Sequence, residues 1–513
     1  MNLKQFREKI FGDRRRLIIV LAILFLLYPA FISGLATNPP GFYVDESCLA
    51  YNGYLIATTG AAENGTSFPL FFQCYTESLV QYAHPTNIYL LAGMYLFVAP
   101  SVLSARILAA TTVFVAMLLL GMLAFRITGR PLIGCLISIT ALATPWIFEI
   151  SRLVLETYVI VLSLVLFLLS LHSAHKRKTW KLSDAFFLAI SLSLITYSYT
   201  PGRLLGPAFA VGLLIFATDR PSIWNIVKVW GLYSLALIPL FVVSFANSDL
   251  VTKRLSEVTY ILPDRSWFAI VTEFVVSFFS DLSPVFLLVV GDPIKRHHVG
   301  GMGEIFAATF ILAVAGVILI LLRHRSDPWW RFILFGLIVS VVPGAITIHR
   351  HHALRLLALP IFVLILTIPA LSFLIDGLTQ GSAPLKVGPL PKRIILTSLL
   401  LLTLGQAVYF QYYHREFGPK FGHMFNASYP RVLNVAIAHP SRPIYLRDGQ
   451  FGGVAYIHAY WYGAIKGIDP SNFVHLPQGA EPPVGSLLLS SDLGCTKCTT
   501  IFQDDNFSLN QTR

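Results

Sequence analysis

Apolar segments of about 20 residues, the length that crosses roughly 30 Å of hydrocarbon, recur along this chain between Leu17 and Tyr413. A chain patterned this way is a polytopic membrane protein built from helices. Its composition agrees: 55% of the residues are hydrophobic, only 12% are charged, and the mean hydropathy is +0.68. The first run, "LIIVLAILFLLYPAFISGLA" (Leu17 to Ala36), follows a basic start holding Lys4, Arg7, Lys9 and Arg14 to Arg16. That start imitates a signal peptide, but the run exceeds a typical apolar signal core and reads as an uncleaved first span.

The net charge of +12 is distributed as topology, not as a polyanion-binding surface. Lys and Arg gather in short connections: "HKRKTWK" around Lys176, "RHRSDPWWR" from Arg323 to Arg331, and "KVGPLPKR" ending at Arg393. Basic short loops mark the cytoplasmic side, so nucleic acid is not an expected partner. Spans are expected near 17–36, 102–125, 131–147, 153–172, 180–198, 204–217, 224–245, 304–323, 331–348, 353–375 and 394–413. These make about eleven, with the N-terminus cytoplasmic and the C-terminus outside. "HPTNIYLLAGMYLF" (His84 to Phe97) is too short to span and reads as a juxtamembrane helix.

Residues 1–413 thus form a transmembrane domain with large outer loops at 37–100 and 246–303. Residues 414–513 turn polar, and the strand-like "RPIYLRD" and "GSLLLSS" alternate there with the helical "YPRVLNVAIAH" and "VAYIHAYWYGA". The fold class expected is an all-α polytopic membrane protein with a small α/β extracytoplasmic C-terminal domain. Cys48 and Cys74 share the first outer loop, Cys495 and Cys498 form "CTKC", and an outside location permits either pair to be bridged. A zinc site at the CxxC would normally need two more ligands nearby, and none is obvious.

Some charges sit where topology gives no reason for them. The outer ends of spans carry Arg106, Arg152 and Arg203, and the outer loops carry Lys295, Arg296, His297 and His298, then His349 to Arg355. An ionisable group at mid-bilayer costs about 2.5–3.5 kcal/mol by insertion scales, less at the interface, and tends to be functional. Snorkelling to headgroups explains any one of them. Five clusters at one face describe a cationic pocket suited to phosphate or pyrophosphate, formed by Arg152, Arg203, Lys295, Arg296, His298, Arg350 and Arg355. His349, His351 and His352 offer zinc ligands, but Arg350 and Arg355 would repel a cation, which favours phosphate contact. No metal ligand set is assigned and no cofactor is required; a divalent cation is left open.

Adjacent acids, Asp45 and Glu46, follow the first span in "GFYVDESCLAYNGYLIATTG". As structural residues they would cap a short helix "ESCLAYNGYLIA". As catalytic residues, Asp45 and Glu46 place a general base near an acceptor hydroxyl, with the cations stabilising a departing phosphate. That division of labour is the one that inverting glycosyl transfer requires.

With these residues in view, the chain resembles membrane glycosyltransferases of the GT-C fold. It is most similar to bacterial relatives of the dolichyl-phosphate-mannose protein mannosyltransferases and aminoarabinose lipid A transferases (families 39 and 83). The resemblance runs in order through "GFYVDESCLAYNGYLIATTG", "HPTNIYLLAGMYLFVAPSVLSARILAA", "PWIFEISRLVLE", "YSYTPGRLLGP", "FLLVVGDPIKRHHVGGMGE" and "PGAITIHRHHALRLLALP". It implies a polyprenyl-phosphate sugar donor taken from the bilayer and transfer at the outer face. It implies Asp45 as base, and Ser151, Arg152 and Glu156 as a Ser-Arg element with a second acid. No MIR-type sugar-binding repeat follows, which weakens mannose transfer to protein.

The acceptor, whether lipid, glycan or protein, is not legible. One alternative is a transporter or flippase for an anionic lipid-linked glycan, but that would show repeat symmetry and midplane polar groups. A ligase using a pyrophosphate-linked donor is another, and a sensor with an outer ligand domain would leave the acid pair without a role. A cysteine-accessibility scan in intact cells should label the Asp45 loop and residues 414–513 from outside. Labelling of 414–513 only from the cytoplasm would reverse the assignment of faces.

Overall fold

The computed structural model describes residues 25–77, 81–246, 249–379, 389–449, 454–477, 479–491, 495 and 497–513. The basic start and the expected span up to residue 24 lie outside the described residues; the run is helical from 25 to 32. Five described helices are long and apolar enough to cross a membrane: Val102–Thr128, Thr157–Ala174, Arg220–Ala246, Pro328–Ala345 and Pro389–Phe417 with its extension to Phe425. Five shorter apolar helices pack among them. The number of crossings is therefore not fixed by helix length alone.

Local chemistry sets many of the helix ends. Ser101 accepts the Ser104 N–H at 3.0 Å, and Asp327 accepts the Trp329 N–H at 2.9 Å, each satisfying a first-turn donor. Gly129, at φ +69°, ends the Val102–Thr128 helix, and Pro131 opens the next. The two helices of this hairpin cross at glycines: a Cβ on Gly121 would sit 1.9 Å from Ser138 Oγ and 2.5 Å from the Gly134 carbonyl. Small residues let apolar helices approach closely, where dispersion replaces the hydrophobic drive that lipid cannot supply.

Two expectations change here. The span expected at 131–147 divides into Pro131–Ala143 and Pro145–Ile150, because Pro145 cannot donate to the first helix. The loop expected at 246–303 holds helices Asp249–Val258 and Trp267–Asp281. The second exposes Trp267, Phe268 and Phe279, yet its 15 residues reach only about 22 Å, short of a bilayer crossing.

The C-terminal residues form a five-stranded mixed sheet in the order Phe473–His475, Ile444–Arg447, Leu487–Ser490, Phe507–Thr512, Cys498–Asp504. The first three strands are parallel and the last two antiparallel. Helices Tyr429–Ala438 and Tyr456–Ala464 pack with them. This unit shares one apolar core with the first outer loop. The helix Val44–Thr59 lies against Tyr456–Ala464, with Ser47 Oγ 2.8 Å from His458 Nδ1. Cys48–Cys74 and Cys495–Cys498 are both disulfide-bonded, and the first ties this helix to the strand Phe72–Cys74.

Two buried ion pairs fasten the loops on the Asp45 side. Arg106 and Glu46 have fully buried side chains 3.5 Å apart. Arg106 also donates to the carbonyls of Leu35, Pro39 and Gly41. His298 donates from Nδ1 to Glu149 at 2.7 Å and from Nε2 to the Met302 carbonyl at 2.6 Å, so both ring nitrogens carry protons. Glu149 also accepts the Val299 N–H at 2.8 Å. These bonds clamp the 291–303 loop onto the helix Pro145–Ile150.

Burial alone would push the His298 imidazole down, but the charges of Glu149 and Glu304 raise it to about 10. A raised folded-state value gives stability that is complete below the unfolded value of about 6.5 and is lost as pH rises toward 10. His298→Gln should therefore destabilise the purified protein at pH 7 by about 3–5 kcal/mol, the usual penalty for leaving a buried partner unpaired. The gap in melting temperature should close as the wild type is taken past pH 10. A gap independent of pH would show that the ring is not an imidazolium.

Candidate active site

Asp45 stands in the first turn of the helix Val44–Thr59, where the aligned peptide dipoles favour a negative charge. Glu46 makes the cap, accepting the Tyr43 N–H at 2.9 Å. One residue of helix rotates the side chain by about 100°, so the two acids face different surroundings. Glu46 turns inward to Arg106 and to the Val154 N–H at 2.8 Å. Asp45 faces a cavity of about 550 Å³, and its Oδ1 accepts the Tyr75 hydroxyl at 2.5 Å.

The same cavity is lined by Arg203, Arg296, Arg355 and Lys253, and by Glu156, His297 and His352. Its wall therefore draws on the first outer loop, the helix Gly202–Gly212, the helix Asp249–Val258, and the loops at 291–303 and 346–358. The Arg203 guanidinium lies over the Phe71 ring at 4.9 Å, and that of Arg296 over Tyr43 at 3.6 Å. Aromatic faces of this kind hold a guanidinium plane by cation–π contact. Arg355 donates to Thr347 Oγ1 at 2.7 Å. Glu156 is engaged with His84, through the backbone N–H and through Nδ1 at 3.1 Å.

Of the residues expected to form the site, Asp45, Arg203, Arg296, Arg355 and Glu156 line this one cavity. The others lie away from it. Glu46, expected beside Asp45 as a catalytic acid, is fully buried against Arg106 and does not line the cavity. Arg152 is buried with its donors on the carbonyls of Phe31, Ser33 and Asn38, and it stacks over Phe148 at 4.2 Å. Three of its donors are thus turned to carbonyls at the end of the first span, and Arg152 does not line the cavity. His298 is spent on Glu149. Arg350 pairs with Glu273 at 2.5 Å and lines a neighbouring cavity of about 450 Å³. Lys295 is not among the residues lining either cavity, and its Nζ lies close over Gly300.

Tyr75 and Lys253 are not singled out by the sequence, whereas His352 is weighed there between zinc and phosphate contact and His297 appears only as part of the Lys295–His298 cluster. Tyr75 gave no signal, since its role depends on the disulfide beside it bringing residue 74 to residue 48. His297 was hidden among its basic neighbours.

Two side-chain groups have ligand atoms close enough to suggest a cation: Asp292, His297 and His352, and Glu149, His298 and Glu304. The second fits poorly, because both nitrogens of His298 already donate protons. In the first, the Asp292 oxygens already accept N–H groups from Ile294, Ala353 and His297.

No protein-family model and no curated protein sequence matches the chain. Similarity appears at the level of structure. ArnT from Cupriavidus metallidurans bound to undecaprenyl phosphate superposes with a TM-score of 0.53 at 11% identity, covering 96% of this chain and 97% of that one. The same protein in the apo state gives 0.53 at 12% identity, over 97% and 98%. The Archaeoglobus fulgidus oligosaccharyltransferase tethered to an acceptor peptide gives 0.48 at 13%, over 86% and 63%. Over nearly its whole length, this chain has the GT-C fold seen in ArnT.

Proposed function

We propose that the protein is a membrane glycosyltransferase that moves a sugar from a polyprenyl-phosphate donor to an acceptor hydroxyl, with inversion, at the outer face. The observation that carries this is one cavity lined both by a carboxylate at a helix N-terminus and by three guanidinium groups. Arg203, Arg296 and Arg355 supply the cationic edge for the donor phosphate, whose charge grows as the glycosidic bond breaks. Asp45 takes the acceptor proton, with one oxygen fixed by Tyr75 and the other left for the substrate. The ArnT structure that covers nearly the whole chain holds undecaprenyl phosphate, which supports a lipid phosphate as the donor's carrier.

Incubating purified enzyme with a panel of undecaprenyl-phosphate sugars should reveal consumption of one of them by mass spectrometry. Asp45→Asn keeps the size of the side chain and should lower turnover by about 10²–10⁴-fold with folding intact. Near-normal turnover in well-folded Asp45→Asn protein would overturn the assignment of the base. Tyr75→Phe deletes only the hydroxyl that fixes Asp45. It should lower kcat about tenfold while leaving the donor KM unchanged, because misalignment weakens the reacting geometry and not the phosphate grip. A raised KM with kcat intact would place Tyr75 against the donor instead.

A further inference from the structure

Asp292 is fully buried in the loop that precedes the helix Ala307–Arg323, and its carboxylate is saturated with donors. Oδ1 accepts the Ile294 N–H at 2.8 Å, and Oδ2 accepts the Ala353 N–H at 2.7 Å and His297 Nδ1 at 2.9 Å. Burial would raise this carboxyl, yet the His297 hydrogen bond and the backbone donors bring it below the usual carboxylate range. An ionised acceptor there fixes the His297 tautomer with its proton on Nδ1, so Nε2 is the nitrogen left for chemistry. Nε2 makes no hydrogen bond among the described residues, and His297 lines the cavity that holds Asp45, Arg203, Arg296 and Arg355.

We propose that Asp292 and His297 form a dyad in which His297 Nε2 gives a proton to the departing lipid phosphate, with Asp292 as its positioning residue. This rests on the glycosyl-transfer reading above. The acceptor oxygen bonds to the sugar C1 as the C1–O bond to phosphate breaks, and that electron pair stays on the phosphate oxygen. Asp45 takes the acceptor proton, His297 protonates the phosphate, and return of the Asp45 proton to His297 restores both groups. The lipid leaves as a hydrogen phosphate, so the acceptor's proton ends on the leaving group and charge balances.

The groups facing His297 act in both senses. Burial and Arg296 hold the free imidazole below its ordinary value, while Asp292 and Asp45 act in the opposite sense. The His352 ring, 4.9 Å away, is pushed down to about 3 by burial and Arg355 and stays neutral. A donor phosphate entering the cavity brings the negative charge that favours the imidazolium. A cation held by Asp292, His297 and His352 would use the same atoms. The three N–H donors already on Asp292 and the adjacent guanidinium groups argue against it.

The test is kcat and kcat/KM against pH for the full-length wild type, His297→Gln and Asp292→Asn, on the undecaprenyl-phosphate sugar that the wild type consumes, with bound metal measured by mass spectrometry. His297→Gln should lower kcat about 10²-fold and remove the basic limb of the profile. Asp292→Asn should move that limb to lower pH, because the imidazolium loses its counter-charge; a purely structural role would leave the limb in place. Because Asp292 also holds two backbone N–H groups, His297→Gln with a wild-type melting temperature carries the decision if Asp292→Asn fails to fold. Wild-type kcat and pH profile in His297→Gln would overturn the dyad while a dead Asp45→Asn leaves the transferase reading standing. One tightly bound divalent metal, lost in His297→Gln, with activity abolished by chelation and restored by zinc, would replace the dyad by a metal site. A wild type that consumes no lipid-phosphate sugar would overturn both readings.

Discussion

The buried pair of Arg106 and Glu46 fixes the loops around the Asp45 cavity. Both side chains are withdrawn from solvent, and a buried charge is tolerable only when paired and hydrogen-bonded. Arg106 meets this condition by gathering the carbonyls of Leu35, Pro39 and Gly41 together with Glu46. Glu46 meets it by holding the Tyr43 and Val154 N–H groups as well. The chain leaving the first span, the start of the next outer helix and the segment after Pro145–Ile150 are thereby joined at one point. Asp45, one residue before Glu46 and about 100° away around the helix, is left facing the cavity. The acid pair is one buried, ion-paired acid and one cavity-facing acid on adjacent faces.

The basic residues divide by the same logic. Arg106 and Arg152 are consumed by backbone carbonyls, and Arg350 is neutralised by Glu273. Arg203, Arg296 and Arg355 reach the cavity, two of them resting on aromatic rings. Guanidinium groups gathered at one cavity repel one another, and aromatic faces offset that repulsion by cation–π attraction. The sheet domain adds a further constraint. The Ser47–His458 contact holds the Asp45 helix to this domain, while the Cys48–Cys74 disulfide ties it to its own loop.

Much of the scaffold was readable in the sequence because its physics is local. Apolar length marked a multi-pass membrane chain, and the strand-like "RPIYLRD" and "GSLLLSS" marked two strands, whereas the break at Pro145 inside the span expected at 131–147 emerged only in the structure. Three further strands escaped, since Phe473–His475, Cys498–Asp504 and Phe507–Thr512 owe their state to neighbours in the sheet. Asp45 stood out because an acid pair after a membrane span is rare. The cations were visible as a set but not as individuals.

By itself the sequence determined that the chain lives in a bilayer, that polar residues gather at the ends of its spans, and that Asp45 and Glu46 open a helix. These follow from transfer free energy and helix geometry, which depend on short stretches. Which acid faces the cavity, which arginines are spent on carbonyls, and that Tyr75 and His297 join Asp45 were decided only by tertiary structure. Each depends on a partner far along the chain: Asp45 on Tyr75, Arg152 on Phe31, His298 on Glu149, Asp292 on Ala353. A hydrogen bond forms over about 3 Å and is blind to sequence distance, so only the folded chain could assign these donors and acceptors.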